Sequence, residues 1–273
     1  MQSYSMIFLD IDGTLLDSRY QVSPATRGLL SSLTAQGVPV VLCSARPPVG
    51  IRLVEEQAGV HGPMICYSGA LTLSPQGQVV DQAPLDSQRA LAFQFFVRAE
   101  FPGVAVNAYQ YENWLVEPDQ LTLPWVLEEG RAVHSAPIPR PIDPSAPVHK
   151  LLCIGPPKDI ASLRKKAAQA FEELNLVQST STYLEVLAPS ASKERAVRAL
   201  HTAYGVPQKA IVACGDYDAD LEMLRYAGLG VAMGNATEAV KAAADLITET
   251  NDRQGVYLAL KDLAFVPPPG SAS

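Results

Sequence analysis

Residues 7–16, IFLDIDGTLL, decide how this chain is read. Large and β-branched apolar residues fill MIFLDI and Gly13 closes it with a turn, so the run reads as a buried strand. Asp10 and Asp12 then stand one residue apart at a strand end, which is a rigid platform for side chains. Two carboxylates there contribute nothing to packing and are costly to desolvate. A charged or metal-bound partner explains them better than a solvated turn capping a helix.

Outward from this strand the chain alternates. Residues 23–36 read as a helix with Ser23 as N-cap, Pro24 at the first position and Gly37 closing it. VPVVLCSA (38–45) reads as a buried strand, a helix ends at Gly59, and PMICYSGA (63–70) is a third strand. Such alternation specifies a parallel sheet with right-handed crossovers. Residues 71–81 form a hairpin turning at Pro75–Gly77. The pattern changes from 82 to 184: a helix near 87–100, strands near 104–117, a Pro-rich surface loop over 137–147, a strand at VHKLLCIG (148–155), a helix at 159–174 and strands through 176–188. That order indicates an α+β unit with an antiparallel sheet. Alternation resumes with a helix from Lys193 to Tyr204, a strand at KAIVACGD (209–216), and further helices at 218–227, 236–244 and 253–263 separated by the strands GLGVAM and DLIT. The tail FVPPPGSAS reads as disordered. The fold is thus α/β, a core of residues 1–81 and 185–273 interrupted by an α+β domain over 82–184.

With 273 residues, 48% of them hydrophobic, the chain has material for two domains. It shows no apolar run of membrane-spanning length and no leader pattern at its start. Cys43, Cys66, Cys153 and Cys214 are scattered singly in apolar segments, as reduced buried thiols are. These features lead us to expect a soluble, cytoplasmic protein that does not engage a membrane. A net charge of −7 argues against a nucleic-acid partner, so a phosphorylated ligand would be captured by local cations. His61, His134, His149 and His201 are isolated and read as surface or core residues. Tyr109, Tyr111, Trp114 and Trp125 read as core of the inserted domain before they read as a substrate pocket.

Several segments place polar residues directly after strands, where open α/β sheets bind ligands. They are Asp10 and Asp12, Ser44 and Arg46, Ser68 and Gly69, and Asp216 with Asp220, while Lys193 follows the return from the insert. If Asp10, Asp12, Asp216 and Asp220 converge, each pair near 4 Å repels by roughly 4 kcal/mol at an effective dielectric of about 20. A divalent cation would offset this, and an all-oxygen donor set favours Mg²⁺. Asp218, at the start of a helix, is also accounted for by the helix dipole.

DxDGTLL after a strand resembles the first motif of the haloacid dehalogenase superfamily. Together with LCSARP, APSASKERA, CGDYDADLEML, VAMGNA and NDRQGV, it resembles most closely the Cof-type hydrolases over nearly the whole chain. The resemblance implies a Rossmann-like core with an inserted cap, and Mg²⁺-dependent hydrolysis of a small phosphate monoester. Asp10 would be the nucleophile and a metal ligand. Asp12 would be the acid/base and a ligand through its carbonyl, and Asp216 the remaining metal ligand, with Asp220 behind it. Ser44 and the amides of Ile11 and Ala45 would bind the phosphoryl group, and Lys193 would neutralise the aspartyl phosphate. Arg46, Ser68 and Gly69 would line the substrate site. Ser44-Ala45-Arg46, Ser68 and Ala219 depart from the usual Thr-Gly-Arg, Asn and Asn of that group. A sugar phosphomutase and a low-turnover phosphate-binding protein are the alternative readings.

Overall fold

The structure is a computed structural model that describes residues 2–132 and 135–268. Met6–Asp10 is buried along its length and lies inside an eight-stranded sheet. The sheet order is Leu246–Ile247, Leu229–Ala232, Ile211–Gly215, Met6–Asp10, Val40–Cys43, Met64–Cys66, Leu71–Leu73 and Val79–Gln82. The first six strands run parallel, and antiparallel pairing starts between Met64–Cys66 and Leu71–Leu73. From Met6–Asp10 the chain first builds outward through Val40–Cys43, then later returns to the opposite flank with Ile211–Gly215. The connections reverse direction between those neighbours, which opens a crevice at their carboxyl ends.

Local sequence sets the crossover helices. Ser23 Oγ accepts from the Thr26 amide at the start of Pro24–Ala35, and the chain leaves through Gly37 at φ +82°. Pro48–Ala58 stops at Gly59, whose left-handed φ of 65° closes the helix. The strand expected over 63–70 ends at Cys66. Tyr67 and Ser68 turn left-handed instead, and their amides donate to the carbonyls of Arg46 and Ser44.

The chain divides into two compact units, Met1–Asp81 with Ser192–Ser273, and Gln82–Ala191. The return expected at 185 falls inside the strand Tyr183–Leu187, which pairs antiparallel with Lys150–Ile154 and with Asn175–Val177. Cutting there would break a ladder, so the second unit continues to Ala191. Its six-stranded sheet runs Asn175–Val177, Tyr183–Leu187, Lys150–Ile154, Ala105–Gln110, Asn113–Val116, Ile138–Pro139. The two helices Ser87–Glu100 and Pro157–Ala170 bring Phe93 and Phe96 against Phe171 at 5.1 and 5.5 Å. The Pro-rich stretch supplies an edge strand, Ile138–Pro139, a position where the missing proline N–H costs nothing. Tyr109 and Trp114 are buried here, Trp114 Nε1 donating to Asn107 Oδ1 at 2.9 Å, whereas Trp125 is half-buried and Tyr111 exposed. No helix among the described residues is long and apolar enough to cross a membrane. Cys43, Cys66, Cys153 and Cys214 are free and buried. His134 and the tail beyond Pro268 lie outside the described residues, and His61 is exposed.

His201 and His149 are core residues. His149 Nδ1 accepts from the Tyr111 amide at 3.0 Å, so the ring is neutral with its proton on Nε2, facing Gln82 Oε1 at 3.1 Å. A second ring proton would point at a donor. Burial lowers the His149 pKa to about 4. Because the folded value lies below the ordinary one near 6.5, the unfolded chain takes up the proton first. Stability is therefore full above about pH 6.5 and falls by up to about 3 kcal/mol as the pH drops toward 4. The melting temperature of the wild type should fall steeply between about pH 6.5 and 4, and His149→Gln should lose less over that interval. Parallel losses would refute the assignment.

Candidate active site

The carboxyl ends of the two strands flanking the crevice carry Asp10 and, one residue beyond Gly215, Asp216. Asp10, Asp216 and Asp220 each bring a carboxylate oxygen within 4.8 Å of the others. Lys193 joins them, its Nζ lying 2.5 Å from Asp10 Oδ1 and 2.6 Å from Asp220 Oδ1. The lysine is first in the helix Lys193–Ala203, which is capped by Ser192 Oγ accepting from the Arg195 amide. Asp220 spends its other oxygen on the amides of Asp216 and Tyr217, both at 3.1 Å, and so fixes the loop that presents Asp216. Gly215 allows this closeness, since a Cβ there would sit 2.5 Å from the Asp220 side chain.

Burial raises the Asp10 carboxyl well above its ordinary range; Lys193 opposes that shift, and Asp220 and Asp216 add to it. Asp216 is also raised, by burial and by Asp220, against the hydrogen bond from Thr14 and the charge of Lys193. Burial disfavours the Lys193 cation, but Asp10 and Asp220 outweigh it and hold the ammonium charged. One buried cation thus faces three carboxylates. The remaining negative charge, the all-oxygen donors and the spacing fit a divalent ion of the Mg²⁺ type. Such an ion would be held by Asp10 and Asp216, because Asp220 is already engaged by Lys193 and two amides.

Asp12 departs from the expected four-carboxylate cluster. Its side chain is forked by Arg46, with Nε 2.9 Å from Oδ2 and a terminal nitrogen 2.5 Å from Oδ1. Ser44 is buried at the end of Val40–Cys43, and its Oγ accepts from the Arg46 amide at 3.2 Å. Ile11 is buried and Ala45 half-buried at the same sheet end. Gly69 has a steric task, because a Cβ there would lie 2.1 Å from the Ser192 carbonyl, next to Lys193. Ser68 joins Ser44 through its backbone. Asp218 turns away to accept from Thr237 Oγ1 at 2.9 Å, and Ala219 is exposed on the same 3-10 turn.

Residues 7–260 match the family model of haloacid dehalogenase-like hydrolases. The chain belongs to this family. A Haemophilus influenzae protein provisionally named a phosphatase is 35% identical over 95% of this chain and 98% of its own length. The 5-amino-6-(5-phospho-D-ribitylamino)uracil phosphatase YitU of Bacillus subtilis is 27% identical, covering 94% and 96%. The crystal structure of a haloacid dehalogenase-like hydrolase from Bacteroides thetaiotaomicron superposes with a TM-score of 0.85 at 28% identity, covering 95% of this chain and 99% of that one.

Two residues of this hydrolase's site escape a reading by motif. Thr14 Oγ1 donates to Asp216 Oδ1 at 2.9 Å, across 202 residues of sequence. Asn235 donates to the Gly13 carbonyl at 2.8 Å, and its Oδ1 accepts from the Asn251 amide at 3.0 Å. The signals were present as the Thr of DGT and the Asn of MGNA. Gly13 is required where it stands, because it has φ +85° and a Cβ would come within 2.3 Å of Asp216 Oδ2.

Proposed function

We propose that this hydrolase cleaves a small phosphate monoester, a sugar phosphate or phosphorylated cofactor-like metabolite, through an aspartyl-phosphate intermediate. The observation that carries the reading is Asp10, buried at a strand end, with Lys193 at 2.5 Å and Asp216 and Asp220 in one cluster. Asp10 attacks phosphorus and the bond to the leaving oxygen breaks, while Asp12 gives that oxygen a proton. Asp12 then takes a proton from water, which displaces phosphate from Asp10. Ser44 and the amides of Ile11 and Ala45 hold the transferring phosphoryl oxygens, and Lys193 balances their charge. A bound Mg²⁺ would neutralise charge between the phosphoryl oxygens, Asp10 and Asp216. The unit Gln82–Ala191 is assigned to leaving-group selectivity as a cap. The YitU name, which specifies a small phosphorylated metabolite, supports the substrate class, and the free buried thiols support a cytoplasmic setting.

Purified protein should release phosphate from p-nitrophenyl phosphate with Mg²⁺ and stop after chelation. Acid-quenched enzyme should carry phosphate on the peptide containing Asp10. Asp216→Asn should raise the Mg²⁺ needed for half-maximal rate by about tenfold or more. An unaltered Mg²⁺ requirement in that variant would remove Asp216 from the ligand set, and no turnover of any monoester would overturn the reading.

A further inference from the structure

We propose that Arg46 is the positioning residue of Asp12, fixing the carboxyl group that gives a proton to the leaving oxygen and regains it from water, and is not itself a phosphate ligand. The proposal rests on the acid/base reading of Asp12 given above.

The geometry is a two-point fork: Arg46 Nε and a terminal nitrogen each take one oxygen of Asp12, at 2.9 and 2.5 Å. A planar guanidinium held this way fixes both the place and the rotation of a carboxylate, which a single contact does not. Stability does not account for the pair. The Asp12 side chain is 49% exposed and that of Arg46 29%, a setting in which ion pairs contribute little to folding. Yet the arginine is anchored on both sides. Its amide donates to Ser44 Oγ at 3.2 Å, and its carbonyl accepts from Tyr67 at 3.3 Å, where Tyr67 holds a left-handed φ of 52°. A non-glycine residue kept in that region marks a backbone whose surroundings over-determine it. The chain therefore fixes the backbone from which the side chain of residue 46 projects, and its guanidinium in turn holds Asp12. Without the fork, a half-exposed Asp12 would sample other rotamers, and the proton transfer that accompanies cleavage of the bond between phosphorus and the leaving oxygen would lose its aim.

Loss of aim has a chemical signature. A nitrophenolate departs without needing a proton, whereas an alkoxide does not, so an acid-positioning defect falls mainly on alkyl phosphates. Arg46→Ala should lower kcat/KM for glycerol phosphate at least about tenfold more than for p-nitrophenyl phosphate. Arg46→Lys, which keeps the charge but not the fork, should recover only part of the difference. In an Asp12→Ala background, Arg46→Ala should change the rate of the single-turnover nitrophenolate burst from p-nitrophenyl phosphate by less than about twofold, because its target is gone. Equal losses on both substrates, chiefly in KM, or an undiminished loss without Asp12, would make Arg46 a substrate ligand and overturn the proposal. An unchanged Arg46→Ala enzyme would overturn it as well. Failure of the phosphatase reading is a separate result, visible as absent turnover in the wild type.

Discussion

Asp10→Asn should end phosphate-monoester turnover and leave a folded protein. A carboxamide oxygen is a poor nucleophile, and spontaneous monoester hydrolysis is so slow, with accelerations of up to about 10²¹ known, that no bypass is available. The loss should be on the order of 10⁴-fold or more. Phosphate should also vanish from the peptide carrying residue 10. The fold should withstand the change for an electrostatic reason. Asp10, Asp216 and Asp220 share one small volume with a single lysine, so removing one charge relieves repulsion while the amide oxygen can still accept from Lys193. The melting temperature without Mg²⁺ should therefore hold or rise. Wild-type rates in a folded Asp10→Asn protein would exclude Asp10 as the nucleophile. A large fall in melting temperature would show that its charge serves the fold.

The parts of this molecule legible in the sequence are those governed by neighbours along the chain. Ser23, Pro24 and Gly59 mark helix ends because capping and left-handed closure act over three or four residues. The apolar runs at 6–10 and 211–215 are strands because burial on both faces demands such composition. Asp10 and Asp216 stood at the carboxyl ends of those strands, and their convergence follows once strands 6–10 and 211–215 are neighbours, whereas Lys193 arrives at the start of a separate helix. Partner choice was not legible. Asp12 had two chemically reasonable partners, a cation or an arginine, and only the folded spacing between residues 12 and 46 decides for Arg46. Thr14 and Asn235 act across similar gaps in sequence. The helix Pro124–Ala132 was missed because it is short and carries Gly130, a weak helix former, within it. The strand end at Cys66 was missed because left-handed Tyr67 and Ser68 answer to the carbonyls of Arg46 and Ser44, not to their own composition.

Lys193→Met tests the other half of the charge balance and should be costly in two ways. The side chain is only 5% exposed, and methionine fills its volume while leaving Asp10 and Asp220 buried without their cation. Breaking a buried pair from one side destabilises by about 3–5 kcal/mol. Turnover should fall by roughly 10³-fold, since a charge-stabilising group at the transferring phosphoryl is lost. The pH dependence has a definite sign. Burial already holds the Asp10 carboxyl above its ordinary range against the pull of Lys193, so without the lysine the folded-state value rises further. A carboxyl raised on folding keeps its proton longer in the native protein, and its contribution is lost as the pH climbs through the folded value. The melting-temperature gap between wild type and Lys193→Met should thus be small near about pH 4.5 and widen toward pH 8. Mg²⁺ should narrow it, because an ion held by Asp10 and Asp216 replaces part of the missing charge and stabilises the native state by mass action. Lys193→Arg, which preserves the cation, should show a smaller and flatter gap. A gap independent of pH and of Mg²⁺ would mean that Lys193 acts through packing alone, and the charge balance drawn for this site would fall.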